Sequence, residues 1–265
     1  MKFKMLTVCS IVALVLVAGS LAAADRSGKT QQGDLNPAAN SVDIFEGIKT
    51  GQLEVRVIPK DSTLCRITIQ NKTDKPLSVK LPEAFAAIPV LAQVGGAGGV
   101  GAGTTTTSRQ PQPMMGGMGG MGMGGMMPGM GMGGGFFNIA PDQVGQLKVP
   151  TVCLEHGKAE PRSTMKYELR PIEEYSQDKA LHEIGRMLGR GQISQRVAQV
   201  ATWHLNSKMS FDQLARKELR FANGTRQPYF SAEEIRSGMQ VVAAAVAAAQ
   251  KAGQPDSPST AVSKN

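Results

Sequence analysis

Six methionines are the first candidates for chemistry. Met118-x-x-Met121-x-Met123 and Met127-x-x-Met130-x-Met132 repeat one spacing inside a glycine-rich segment. Thioether sulfur is a soft ligand suited to Cu(I), and a glycine backbone can fold several sulfurs around one ion. The competing reading is a low-complexity insertion whose methionines make weak, adaptable contacts. Cysteine chemistry is the second candidate. Cys9, Cys65 and Cys153 are the three cysteines, and Cys9 lies inside an N-terminal apolar run. With Cys9 removed, Cys65 and Cys153 form an even pair, and an oxidising compartment favours a disulfide between them. Other motifs fail on single residues. His182-Glu183 begins a zinc-protease helix, but Arg186 stands where the second histidine belongs. Ser27-Gly28-Lys29-Thr30 resembles the end of a phosphate-binding loop, but Ala23 occupies the position of its first glycine. Only His156, His182 and His204 are available as imidazole ligands, and no paired C-x-x-C or H-x₃₋₅-H accompanies them. The reading is a protein that is not an enzyme and has no obligatory cofactor.

The N-terminus sets the compartment. Lys2 and Lys4 precede an apolar run, and Ala22 and Ala24 fit a small-residue cleavage site. Residues 1–24 are read as a signal peptide, giving a secreted, periplasmic or cell-surface protein with no stable membrane span after cleavage. Losing the two lysines lowers the formal charge of +8 by two. Residues 25–42 and 253–265 are polar and read as a disordered linker and tail.

The elements between these ends must position any site. Leu53, Val55 and Val57 alternate with charged residues, and Cys65, Ile67 and Ile69, then Leu77, Val79 and Leu81, alternate with polar or charged ones. Pro76 and Pro82 bracket the third run, which suits an edge strand. After the Gly/Met-rich tract 92–137, residues 146–154 and 165–170 are strand-like again. This predicts an α+β chain: an antiparallel, Ig-like β-sandwich over 43–175, with the tract as an inserted loop, then a small all-α module over 176–252. From Ser176 the period changes to 3.6. Capping boxes at Ser210–Gln213 and Ser231–Glu234 start two of the helices. These helices form either a bundle of their own or a layer on the sandwich. The module carries 11 basic against 6 acidic residues. It offers an acidic polymer a landing face, but has few aromatics to stack bases, so nucleic acid is not expected.

Two resemblances follow from local segments. The run Asn71 to Val79, Val152-Cys153-Leu154 and Gln199-Val200-Ala201-Thr202-Trp203, in that order, resembles a group of uncharacterised secreted bacterial proteins built from a sandwich and a helical module. That resemblance implies no activity. The Q-x-A-x-W segment also resembles the thioester domains of bacterial surface adhesins, in which a Cys and a Gln side chain join and later react with amines. The resemblance implies Cys153 as the thiol and Gln199 as the amide. This chain has Leu154 where that family has an aromatic, and Ala198 where it has Thr. The reading is thus a non-enzymatic envelope protein that binds an unidentified partner. Cu(I) binding is the alternative, and a thioester adhesin is third.

Overall fold

A computed structural model describes residues 40–90, 110–119 and 135–252. The signal peptide, most of the linker, the tail and five of the six candidate methionines (Met121, Met123, Met127, Met130 and Met132) lie outside these residues.

The chain begins with β1 (Ser41–Asp43) and α1 (Ile44–Lys49), where the Asp43 carboxylate caps the helix by accepting from the Phe45 N–H at 2.9 Å. Strands β2 (Leu53–Pro59), β3 (Leu64–Asn71), β4 (Leu77–Lys80) and β5 (Phe85–Pro89) follow. Next come β6 (Met114–Gly116), β7 (Phe136–Ile139), β8 (Val144–Cys153) and β9 (Tyr167–Pro171). Helices α2 (Ile172–Tyr175), α3 (Lys179–Gly189), α4 (Gln195–Leu205) and α5 (Phe211–Ala215) lead to a ribbon of β10 (Glu218–Arg220) and β11 (Arg226–Pro228). The last element is α6 (Ala232–Lys251).

The α+β class holds, but the Ig-like sandwich does not. Six strands close an antiparallel barrel in the order β2-β3-β8-β6-β5-β9, and β1, β4 and β7 form a separate three-stranded sheet. Two features that alternation cannot show produce the closure. One is β6, which comes from the Gly/Met tract and bridges β5 and β8 through Met114, Met115 and Gly116. The other is a single pairing, Val57 with Tyr167, which joins β2 to β9. The edge reading of the third run also fails, because β4 pairs β1 on one side and β7 on the other. Pro76 and Pro82 lie just outside β4, so neither withholds a donor from its ladder.

The period-2 pattern fills the barrel. Val57, Cys65, Ile67, Ile69, Phe85, Ala87, Met114, Leu147, Val149 and Leu169 belong to one buried cluster. On β5, β6 and β8 the alternate residues are buried too: Ala86, Met115 and Val152 form a second cluster with Leu181, Ile184, Ala198, Ala201 and Val241 of the helices. The helices are therefore a layer on the barrel wall, the second of the two packings the sequence allowed. Glycine sets how close α3 comes. A Cβ on Gly189 would lie 2.6 Å from Gly117 Cα, and one on Gly185 would lie 2.9 Å from Ala84 Cβ. Part of the Gly/Met tract is thus the seat for α3.

Candidate functional site

The end of β8 lacks a neighbour on one side. The register of β3 against β8 runs from Gln70–Val144 to Leu64–Pro150. The Thr151 N–H still reaches Thr63 O at 2.9 Å. Two residues on, the Cys153 N–H and C=O point to that same side by strand periodicity, beyond the reach of β3. Left unpaired and buried, each would cost about 1–3 kcal/mol.

Helix α4 supplies the missing partner with a side chain. The Cys153 N–H donates to Gln199 Oε1 at 2.8 Å, and Gln199 Nε2 donates to Cys153 O at 2.8 Å. The carboxamide replaces one strand residue. Gln195, one turn earlier on the same face, donates from Nε2 to Thr151 O at 3.0 Å. Past the helix, Asn206 Nδ2 donates to Leu154 O at 2.7 Å, and the His156 N–H donates to Ser207 Oγ at 3.0 Å. Ser194 fixes where α4 starts by accepting from the Val197 N–H. Gln199 is 4% exposed and Cys153 is 1% exposed.

An aromatic wall stands beside this seam. Cys153 clusters with Val200, Trp203, Leu214, Phe230 and Ile235. The His156 ring meets Trp203 edge-on at 4.9 Å between centroids, and Tyr229 and Phe230 lie 5.6 and 5.8 Å from Trp203. Lys217 Nζ sits 5.5 Å from the Trp203 centroid, 5.0 Å from that of Tyr229 and 2.9 Å from His156 Nε2. Burial and then the Lys217 charge lower the His156 pKa, and burial lowers that of Lys217. The imidazole is consequently neutral near pH 7, with Nε2 accepting from the lysine.

The structure does not pair the two cysteines. Cys65 and Cys153 are both free and buried. Cys65 lies opposite Val149, four residues before Cys153 on β8, a strand rise of roughly 13 Å. A disulfide needs Cα atoms within about 7 Å. Burial pushes the Cys65 thiol up to about 12. It also raises the Cys153 thiol, where the Glu160 and Asp61 charges add to it. Neither is a standing thiolate at neutral pH.

Of the six candidate copper ligands, Met118 is described, and it is fully buried in the barrel cluster. Among the described residues no group of three or more His, Cys, Asp and Glu side chains could hold a metal ion. His182 is buried, with Nε2 2.7 Å from Ser176 O. Among the described residues, Cys153 and Gln199 are the candidate pair that the fold brings together, through the Cys153 main chain. Sequence reading missed Gln195, Asn206 and Ser207, although the Gln-x-x-x-Gln spacing on α4 was a visible signal. It also missed the Lys217–His156 contact, which depends on the unanticipated ribbon.

No family model, curated protein or solved structure matches this chain. Among the described residues no helix is long and apolar enough to cross a membrane.

Proposed function

We propose that the protein is an envelope-associated binding protein that attaches to its partner covalently, through an internal thioester between Cys153 and Gln199. One observation carries this reading. A cysteine and a glutamine 46 residues apart meet in a buried seam, with the glutamine carbonyl already accepting from the cysteine N–H at 2.8 Å. The chemistry balances without a co-reactant. The Cys153 thiol loses its proton, and Sγ attacks Gln199 Cδ. The C–N bond breaks, and the amide nitrogen takes up the thiol's proton and leaves as ammonia. An amine on a partner then attacks the same carbon, forming an amide and returning the thiol. In both steps negative charge develops on Gln199 Oε1. The Cys153 N–H is positioned to stabilise that charge, as a preorganised donor in a site with little water. Burial also protects the thioester from hydrolysis until a partner arrives.

The signal-like N-terminus supports placement outside the cytoplasm, where such a bond would serve attachment. A second reading has its own support: in the unreacted protein the two reciprocal hydrogen bonds make Gln199 a structural clamp, and loss of Nε2 as ammonia would remove the bond to Cys153 O.

Intact mass of the purified protein separates the two. The thioester requires a mass low by one ammonia, one fewer titratable thiol after denaturation, and methylamine addition that disappears in Gln199→Ala. An unmodified mass with both Cys65 and Cys153 titrating leaves only the clamp.

A further inference from the structure

The ribbon β10–β11 is the least covered part of the described protein. All six of its strand residues are exposed. It pairs Glu218 with Pro228, Leu219 with Gln227 and Arg220 with Arg226, and no third strand joins it among the described residues. An isolated two-stranded ribbon is at best marginally stable. This one is anchored at its base, where the Tyr229 N–H donates to Lys217 O at 2.7 Å and Lys217 caps the Trp203 wall.

Its two faces differ. Leu219 and Phe221 share one face by strand alternation, and they are 41% and 45% exposed. Arg220 and Arg226 lie directly opposite each other on the other face. Like charges in that position are destabilising. Glu218 pairs Arg226 at 3.4 Å, but no carboxylate in the described protein pairs Arg220. Residues 216–228 hold four basic residues and one acidic one.

We propose that β10–β11 is a docking arm that takes an extended, acidic protein segment as its third strand. The bound segment alternates acidic with apolar residues. Its carboxylates lie over Arg220 and Arg226, and its apolar side chains lie over Leu219 and Phe221. The open ribbon edges supply main-chain hydrogen bonds, which give affinity, while the two faces give specificity. A polysaccharide would satisfy the arginines but neither the edges nor the apolar face. Docking stands without the thioester. That the arm delivers its partner's amine to Gln199 rests on the thioester reading.

The probe is a labelled, N-acetylated ten-residue peptide alternating Glu with Val and Thr. It has no amine, so it reports docking alone. The full-length protein is expected to bind it, and Cys153→Ala is expected to bind it equally. The double variant Arg220→Ala/Arg226→Ala should weaken binding by about tenfold or more. Leu219→Ser should weaken it too; all these side chains are exposed, and circular dichroism checks that the fold persists. Methylating alternate peptide nitrogens keeps charge and shape but blocks strand pairing, and should abolish binding. The proposal is overturned if the methylated peptide binds as well as the parent. It is equally overturned if a peptide of the same composition with its glutamates in one block does so, if polygalacturonate competes at equal charge, or if no binding is seen. Failure of the thioester test with peptide binding intact would remove Gln199 as the destination and leave the arm.

Discussion

The two buried cysteines stand in different kinds of interior. Around Cys65 the barrel is closed by strand pairing, and its neighbours Ile67, Ile69 and Val149 are fully buried. Around Cys153 the strand ladder has run out. The seam is held by carboxamides and a hydroxyl from α4 and the turn after it. The barrel is held by apolar burial, which is non-directional and tolerates substitutions that conserve volume. The seam is held by directional bonds that leave a buried group unpaired when any one partner is lost. Equal burial therefore conceals different fragility.

Truncation in the barrel should have the largest effect. Ile67→Ala removes a fully buried side chain and is expected to cost about 2–5 kcal/mol in chemical denaturation. Ile67→Val should cost only about 1 kcal/mol. The seam should show the opposite pattern, with shape counting for little and hydrogen bonding for much. Gln199→Leu keeps bulk but strands the Cys153 N–H and C=O, and about 2–4 kcal/mol should be lost. Gln199→Glu can still accept from the Cys153 N–H, but at neutral pH it must either bury a charge against the Cys153 carbonyl or take up a proton. Its stability should therefore fall at least as far as that of Gln199→Leu and recover towards acid pH. If Gln199→Leu is as stable as the wild type, the contrast between the regions is wrong.

Acid should act on the seam's aromatic wall. Burial and then the Lys217 charge hold the folded pKa of His156 below its ordinary value, so the unfolded state binds its proton first as the pH falls. The stability tied to the neutral ring is present above the unfolded value and declines as pH drops through it towards the folded value. His156→Gln should flatten that part of the stability curve, while Ile67→Ala should shift the curve without reshaping it. The smallest effect belongs to the exposed Arg170–Glu168 pair at 2.8 Å. Arg170→Ala should change the unfolding free energy by less than about 1 kcal/mol.

Much of the strand content was legible because alternation marks a half-buried strand. Leu53–Val57, Cys65–Ile69 and Leu77–Leu81 each show it. How the strands associate was not legible. β6 has only three residues, Met-Met-Gly, and both of its methionines are buried because one faces the barrel and the other the helices. No alternation exists over so short a segment, and the surrounding glycine and methionine mask it. The ribbon β10–β11 has no buried side chain, so hydrophobic pattern could not announce it. The Cys153–Gln199 meeting came from a resemblance in the segment around Gln199. The reason for it, a strand that outlasts its neighbour, is a matter of register that composition does not carry.

The origin of β6 has a consequence for folding order. The three-residue strand that closes the barrel is separated from β5 by 24 residues and from β7 by 19. Extending a loop adds closure entropy only logarithmically, so these lengths are tolerable at equilibrium. In time they matter more, because non-local pairings are slow to find. The β2–β3 hairpin and the helices have local contacts to form early, whereas β6 must return from a distance to join β5 and β8. A folding intermediate with an open wall between β5 and β8 is the species this topology favours. In it, the outward surface that will seat α3 is not yet assembled, so closure of the barrel and docking of α3 are expected to form one kinetic step.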